Sequence, residues 1–226
     1  MCKQCETKPV YEFTNQRKLC KTCFVRWFQK KVLYTIRKFE LIKSGEVVGY
    51  TKTNNFRSVV LEKVLKMFAE KTRVEIIKLP ARALQIDNKI NKKNSAVNNV
   101  SAKSRAECRL EAINDRAKRG KLKLNKIAIA STTDLEADKI IHALIKNGKL
   151  SSAVEGKIIK PLYLFLDKEV LLYAKLKNLA PKGVPPMQDG ILGGKIKKDE
   201  ISKFIDELEK THPEVKQAVV GSYLGN

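Results

Sequence analysis

The sequence predicts an α/β protein, a Rossmann-like parallel sheet with helices on both faces, with a small four-cysteine zinc module at its N-terminus. Three observations lead there. Short apolar segments alternate with helical patterns along the chain, the order of a parallel sheet covered on both sides. Two Cys-x-x-Cys pairs, Cys2 with Cys5 and Cys20 with Cys23, fall within the first 23 residues. The chain has 226 residues and is 43% hydrophobic, enough to bury a core without disulfides.

The cysteine pairs come first in the chain. A Cys-x-x-Cys knuckle offers two sulfurs from one tight turn, and two knuckles separated by fourteen residues, Glu6 to Leu19, can close around one tetrahedral ion. So short a segment has almost no core of its own, and a structural Zn2+ on Cys2, Cys5, Cys20 and Cys23 would supply its folding free energy. The alternative is four free thiols or a redox pair. A redox pair belongs at a strand-to-helix junction, where these pairs are not expected to sit.

From Phe24 a helical stripe begins, with Phe28, Val32, Ile36 and Phe39 on one side and Trp27 beside it. Arg26, Lys30, Lys31, Arg37 and Lys38 take the other side, and Ser44-Gly45 is the expected stop. Residues 46–50 read as a strand, 51–57 as a polar turn and 58–71 as a helix buried through Leu61, Val64, Leu65 and Phe68. A second strand is expected at 73–79, a loop over 86–104, a basic helix at 106–119 and a third strand at 126–130. Thr133-x-x-Glu136 is a capping-box pattern that opens the next helix. After the apolar pair Ile158-Ile159, helices are expected at 167–178 with Asp167 as cap, at 198–210 and at 213–222.

Charge narrows the partner. Lys and Arg number 46 against 24 Asp and Glu, a formal +22. The excess is regional: residues 1–43 hold eleven bases and three acids, and residues 89–126 hold twelve and three. A basic stripe suits a polyphosphate, because each neutralised phosphate releases counterions. Arg26, Lys30, Lys31, Arg37 and Lys38 form one candidate RNA face, and Arg105, Arg109, Arg116, Lys118 and Arg119 another. Trp27 and Tyr34 interleave with the first; Trp27 is expected in the core and Tyr34 remains open to stacking on a base. The competing reading of both faces is a solvated charge run. No apolar run approaches the ~20 residues of a membrane span, and the N-terminus has no signal-peptide core, so a cytoplasmic protein is expected.

Several stretches, taken in order, resemble one family. Leu19-Cys20-Lys21-Thr22-Cys23-Phe24, running into a basic amphipathic helix, is similar to the N-terminus of the two-thiouridine synthetases. These are ATP-pyrophosphatase-type enzymes that thiolate the wobble uridine of certain tRNAs. Lys160-Pro161-Leu162, Lys168-Glu169-Val170, Tyr173, Leu176-Lys177 and Pro213-Glu214-Val215-Lys216 resemble later stretches of the same family, so the likeness runs over about residues 1–222. The resemblance implies that residues 44–226 are a pyrophosphatase-like α/β domain, following a zinc module and basic helix over residues 1–43.

The departures from the family pattern concern the chemistry. Where the enzymes carry Ser-Gly-Gly-Lys-Asp-Ser, this chain has Thr53-Asn54-Asn55-Phe56-Arg57-Ser58. Glycines let backbone N–H groups reach a phosphate closely, and two asparagines put side chains there instead. The family's Ala-Thr-Gly-His-Asn-Leu-Asp-Asp-Glu stretch reads here Ala130-Ser131-Thr132-Thr133-Asp134-Leu135-Glu136-Ala137-Asp138. Where members carry a Cys-x-x-Cys for a cluster or sulfur transfer, Cys108 stands alone.

A kept scaffold with erased chemistry resembles the non-catalytic second subunit of the cytosolic tRNA thiolation complex. That likeness implies no catalytic residue, and the altered loop implies that ATP is not bound in the family's manner. It also implies three partners: tRNA, a catalytic subunit of the same fold and a ubiquitin-like sulfur carrier. An active divergent sulfurtransferase and a stand-alone zinc-containing RNA-binding protein remain the alternatives.

Overall fold

A computed structural model describes residues 1–80, 124–145, 152–179 and 200–223. The basic helix expected at 106–119, the loop over 86–104, Cys108 and the second RNA face (Arg105, Arg109, Arg116, Lys118, Arg119) lie outside these residues. The N-terminal module is a hairpin of β1 (Tyr11–Glu12) and β2 (Lys18–Leu19), leading into α1 (Lys21–Lys38). A five-stranded sheet follows, built from β3 (Val47–Thr51), β4 (Glu75–Leu79), β5 (Lys126–Ala128), β6 (Val154–Glu155) and β7 (Ile158–Ile159). The helices around it are α2 (Phe56–Ala69), α3 (Thr133–Ile145), α4 (Asp167–Leu176), α5 (Glu200–Thr211) and α6 (Val215–Ser222).

The strand order is β4-β3-β5-β7-β6. The first four are parallel and β6 joins β7 antiparallel, so the sheet is mixed at one edge rather than wholly parallel. The apolar pair Ile158-Ile159 is thus half of a hairpin turning at Gly156, whose φ of +61° suits glycine. Alternate strand residues enter two clusters. Val48, Tyr50, Ala128 and Ile159 belong to the main core, and Val47, Ile77, Leu79, Leu124 and Ile127 to a smaller one. Both faces of the sheet are therefore buried, as the α/β class requires. Gly49 leaves room on the sheet face for the Leu79 side chain, since a Cβ there would stand 2.8 Å from one of its methyls.

Helix ends differ from expectation for local reasons. α1 stops six residues before Ser44, because Glu40 takes a left-handed turn with φ of +46°. Leu41 N–H then reaches back to Ile36 O, and Glu40 N–H to Arg37 O, the paired bonds of a Schellman end. Leu41 and Ile36 are both buried there and supply the apolar contact that usually goes with it. α2 starts two residues early, because Asn55 accepts from Ser58 N–H at 2.8 Å and caps it. Asp167 is the first helical residue of α4, not its cap; Leu166 takes that place, and Glu169 accepts its N–H at 3.1 Å. Among the described residues no helix is long and apolar enough to cross a membrane.

Candidate functional site

Two polar constellations stand out, one in the hairpin and one at the sheet. In the hairpin, Glu6 N–H returns to Cys2 O at 3.0 Å, with Glu6 left-handed, so the first knuckle is a tight turn. Lys3 N–H donates to Lys18 O and Val10 N–H to Leu19 O, which lays that turn beside β2. Cys20 caps α1 and Cys23 lies in its first turn. The second knuckle therefore does occupy a strand-to-helix junction, contrary to expectation. What separates it from a redox pair is the first knuckle, because the four sulfurs all lie within 4.8 Å of one another.

That spacing fits one ion. A Zn–S bond of about 2.3 Å gives a regular tetrahedron with sulfur-to-sulfur edges of about 3.8 Å. Cys5 Sγ stands 3.3 Å from Cys20 Sγ and 3.6 Å from Cys23 Sγ. The thiols respond to the crowding in opposite directions. The Thr7 hydroxyl, the Cys23 N–H and the Cys5 thiol hold Cys20 down to about 6, while burial and neighbouring sulfurs push Cys23 up to about 12. Four sulfurs this close cannot all ionise without a cation among them.

The second constellation sits at the carboxyl ends of the parallel strands. From β3 the chain moves outward to β4, whereas from β5 it moves the opposite way to β7. The topological switch point therefore lies between β3 and β5, where open α/β sheets place their ligands. Here the β3–α2 loop meets the β5–α3 loop and the start of α4. Two of the loop's N–H groups are taken: Thr53 N–H donates to Ser58 Oγ at 2.9 Å, and Ser58 N–H to Asn55 Oδ1. Arg57 is buried and grips Asp167 with two bonds, Nε to Oδ1 at 2.6 Å and Nη2 to Oδ2. Thr132 donates to the same carboxylate at 2.8 Å.

The network continues behind that pair. Asp167 N–H donates to Asp134 Oδ2 at 2.6 Å, and Lys216 on α6 reaches Asp134 Oδ1 at 3.1 Å. Burial, then the Asp167 charge, pushes the Asp134 carboxyl above its usual range, only partly offset by the Asp167 N–H and Lys216. Deeper still, Glu136 is fully buried and accepts from Ser131, from Lys139 at 2.7 Å and from the equally buried Lys160 at 2.7 Å. Lys160 also reaches Glu155 on β6. Glu136, expected as half of a capping box, is thus the centre of a buried ion cluster.

The first RNA face is divided. Arg26, Lys30, Arg37 and Lys38 are exposed on α1. Lys31 turns inward, donates to the buried Glu169 at 3.2 Å and lies over the rings of Trp27 and Phe165. Trp27 packs among Tyr11, Phe13, Phe24 and Phe165, as expected of a core ring. The Arg57–Asp167 pair, whose members are 110 residues apart, carries no sequence signal.

No protein-family model matches the chain, and no curated protein matches it. Solved structures do. One is the U34-tRNA thiolase NcsA from Methanococcus maripaludis with its [4Fe-4S] cluster, at a TM-score of 0.64 and 20% identity. The likeness covers 98% of this chain and 85% of that one. The two share a fold. At that identity the likeness speaks for architecture alone, the α/β sheet with the cysteine module ahead of it.

Proposed function

We propose that this chain is a non-catalytic, tRNA-binding scaffold subunit of a complex that 2-thiolates the wobble uridine of tRNA. In this reading it pairs with a catalytic subunit of the same fold, which receives sulfur from a ubiquitin-like carrier. The observation that carries the reading is the loop at the switch point. The Thr53 and Ser58 N–H groups are spent on Ser58 and Asn55, and Arg57 is spent on Asp167, so three groups that could face a nucleotide's phosphates already have partners within the chain. The likeness to a solved tRNA thiolase supplies the substrate class, and the exposed cations of α1 supply a surface for it.

The metal of the module is structural Zn2+ in this reading, held by Cys2, Cys5, Cys20 and Cys23. A four-iron cluster suits these residues poorly. Four irons and their bridging sulfides must fit inside the cysteine cage, and this cage has the size for one ion. The fifth cysteine, Cys108, offers a single thiol where a cluster needs at least three ligands. The RNA face comprises Arg26, Lys30, Arg37 and Lys38 on α1; Arg105, Arg109, Arg116, Lys118 and Arg119, outside the described residues, are candidates from their sequence alone.

A second reading, an active divergent ATP-dependent sulfurtransferase, is favoured by one observation: a solved protein that shares this fold is itself a thiolase. One experiment separates the two. The tagged chain is purified from its own host, its companions are identified by mass spectrometry, and ATP is titrated by calorimetry with tRNA present. The scaffold reading expects bound tRNA, no ATP heat, and a companion with an intact Ser-Gly-Gly loop. Saturable ATP binding by the isolated chain would overturn it in favour of the enzyme.

A further inference from the structure

We propose that the outer face of α1 is a stacking site for one unpaired nucleobase of an RNA strand, with Tyr34 as the platform and Lys30, Arg37 and Lys38 holding the adjoining phosphates. The proposal rests on the RNA-binding reading above and deepens it, because it states what kind of RNA this face takes.

The argument begins with how α1 spends its aromatic residues. Phe24 and Phe28 are fully buried and Trp27 sits in a cluster of rings. Tyr34 is the exception, with 54% of its surface exposed. It lines, with Lys30, Leu33, Arg37 and Lys38, an open groove of about 530 Å³. The Lys38 ammonium stands 5.8 Å from the centre of the Tyr34 ring.

Nothing on this helix neutralises these cations. α1 contains no acidic residue, and Lys31, its cation with a buried carboxylate partner, turns inward to Glu169. Arg26 extends the same side toward the N-terminus, so the cationic edge runs about 18 Å at 1.5 Å per residue. A flat ring among unneutralised cations matches a single strand, which offers a π-face and a phosphate in each nucleotide. An acidic peptide would satisfy the cations and leave the ring unused. A duplex would hide its bases from it.

The test uses the full chain and fluorescence anisotropy. The probes are a labelled oligouridine of about twelve nucleotides, the length of a typical single-strand site, and an RNA duplex of similar length. Tyr34→Ala is expected to weaken oligouridine binding by roughly tenfold, the usual loss for one stacked base, with the salt slope unchanged. Tyr34→Trp restores it. Arg37→Glu with Lys38→Glu flattens the salt slope, and the duplex is insensitive to Tyr34. Because Tyr34 is exposed, the variants should melt with the wild type, and a matching melt is required before affinities are compared.

If Tyr34→Ala binds oligouridine as the wild type does while the charge reversal weakens it, the face is electrostatic only, and the stacking site is overturned with the scaffold reading intact. If an acidic peptide competes as well as RNA and shares the Tyr34 dependence, the face docks protein and the proposal falls. If the wild-type chain binds neither oligouridine nor tRNA, both readings fail together.

Discussion

The cysteine cage and the cleft at the switch point are both small polar clusters placed at the start of a helix, yet they are completed from opposite directions. In the cage, four soft ligands face one another with no cation of the chain's own between them, and their ionisation is pulled two ways. In the cleft, each group considered already has a partner of opposite character: Arg57 with Asp167, Asn55 with Ser58, Lys160 with Glu136. One region asks for something from outside; the named groups of the other find their partners within the chain. The same fold can carry an open site and a closed one, and hydrogen-bond satisfaction tells them apart better than position in the fold does.

The largest expected effect comes from opening the cage. Metal analysis of the pure chain should find about one zinc per molecule, and Cys20→Ser or Cys23→Ser should release it and unfold the hairpin, because structural zinc commonly supplies ~10 kcal/mol or more. Wild-type protein free of zinc, with the hairpin folded, would break the comparison on this side. The next effect comes from breaking the closed cleft. Arg57→Ala leaves Asp167 poorly paired and should cost about 3 kcal/mol in urea unfolding. Arg57→Met with Asp167→Leu, removing both charges, should cost clearly less. If the double variant is the worse of the two, the pair is more than an internal closure.

Smaller effects sharpen the contrast. Asn55→Ala should lose about 1 kcal/mol of stability, the usual worth of a helix cap, with tRNA binding unchanged. A loss of tRNA or ATP binding without that destabilisation would place a ligand on the loop. The smallest effect concerns pH. Asp134 has its carboxyl raised by burial and by Asp167, so the folded state holds that proton to higher pH than the unfolded chain does. The ionised form is therefore the destabilising one, and its penalty grows as pH rises from the ordinary carboxylate value and is complete above the raised value. Asp134→Asn should gain stability at neutral pH and converge with the wild type in acid. A variant that is less stable at neutral pH would mean that Lys216 outweighs the burial.

Much of this architecture was legible before any coordinates. Short apolar runs located β3, β4 and β5, 3.6-residue stripes located α1 and α2, and capping and proline signals helped place α3, α4 and α6, since all of these signals are local. The β6–β7 hairpin was hidden because strands of two residues have no period to detect. The end of α1 was misplaced because Glu40, not a glycine, takes the left-handed turn. Site residues divide the same way. The cysteines announce themselves by spacing, whereas Lys31 is chemically indistinguishable from Lys30 until Glu169, far along the chain, draws it inward. The meeting of Arg57, Thr132 and Asp167 is wholly a product of tertiary assembly.

The rings beneath α1 carry a consequence for how the molecule melts. Phe28 stacks on Tyr173 at 4.1 Å between centres and meets Phe165 at 4.4 Å, while Tyr11 of the hairpin donates to Glu169 at 3.4 Å. Hairpin and α4 thus share one hydrophobic seam, so loosening the first exposes the second. Chelation at the N-terminus should then quicken amide exchange in α4, more than 140 residues away. Excising the first 43 residues should yield a sticky remnant, with Phe165 and Tyr173 facing water, in place of an independent domain.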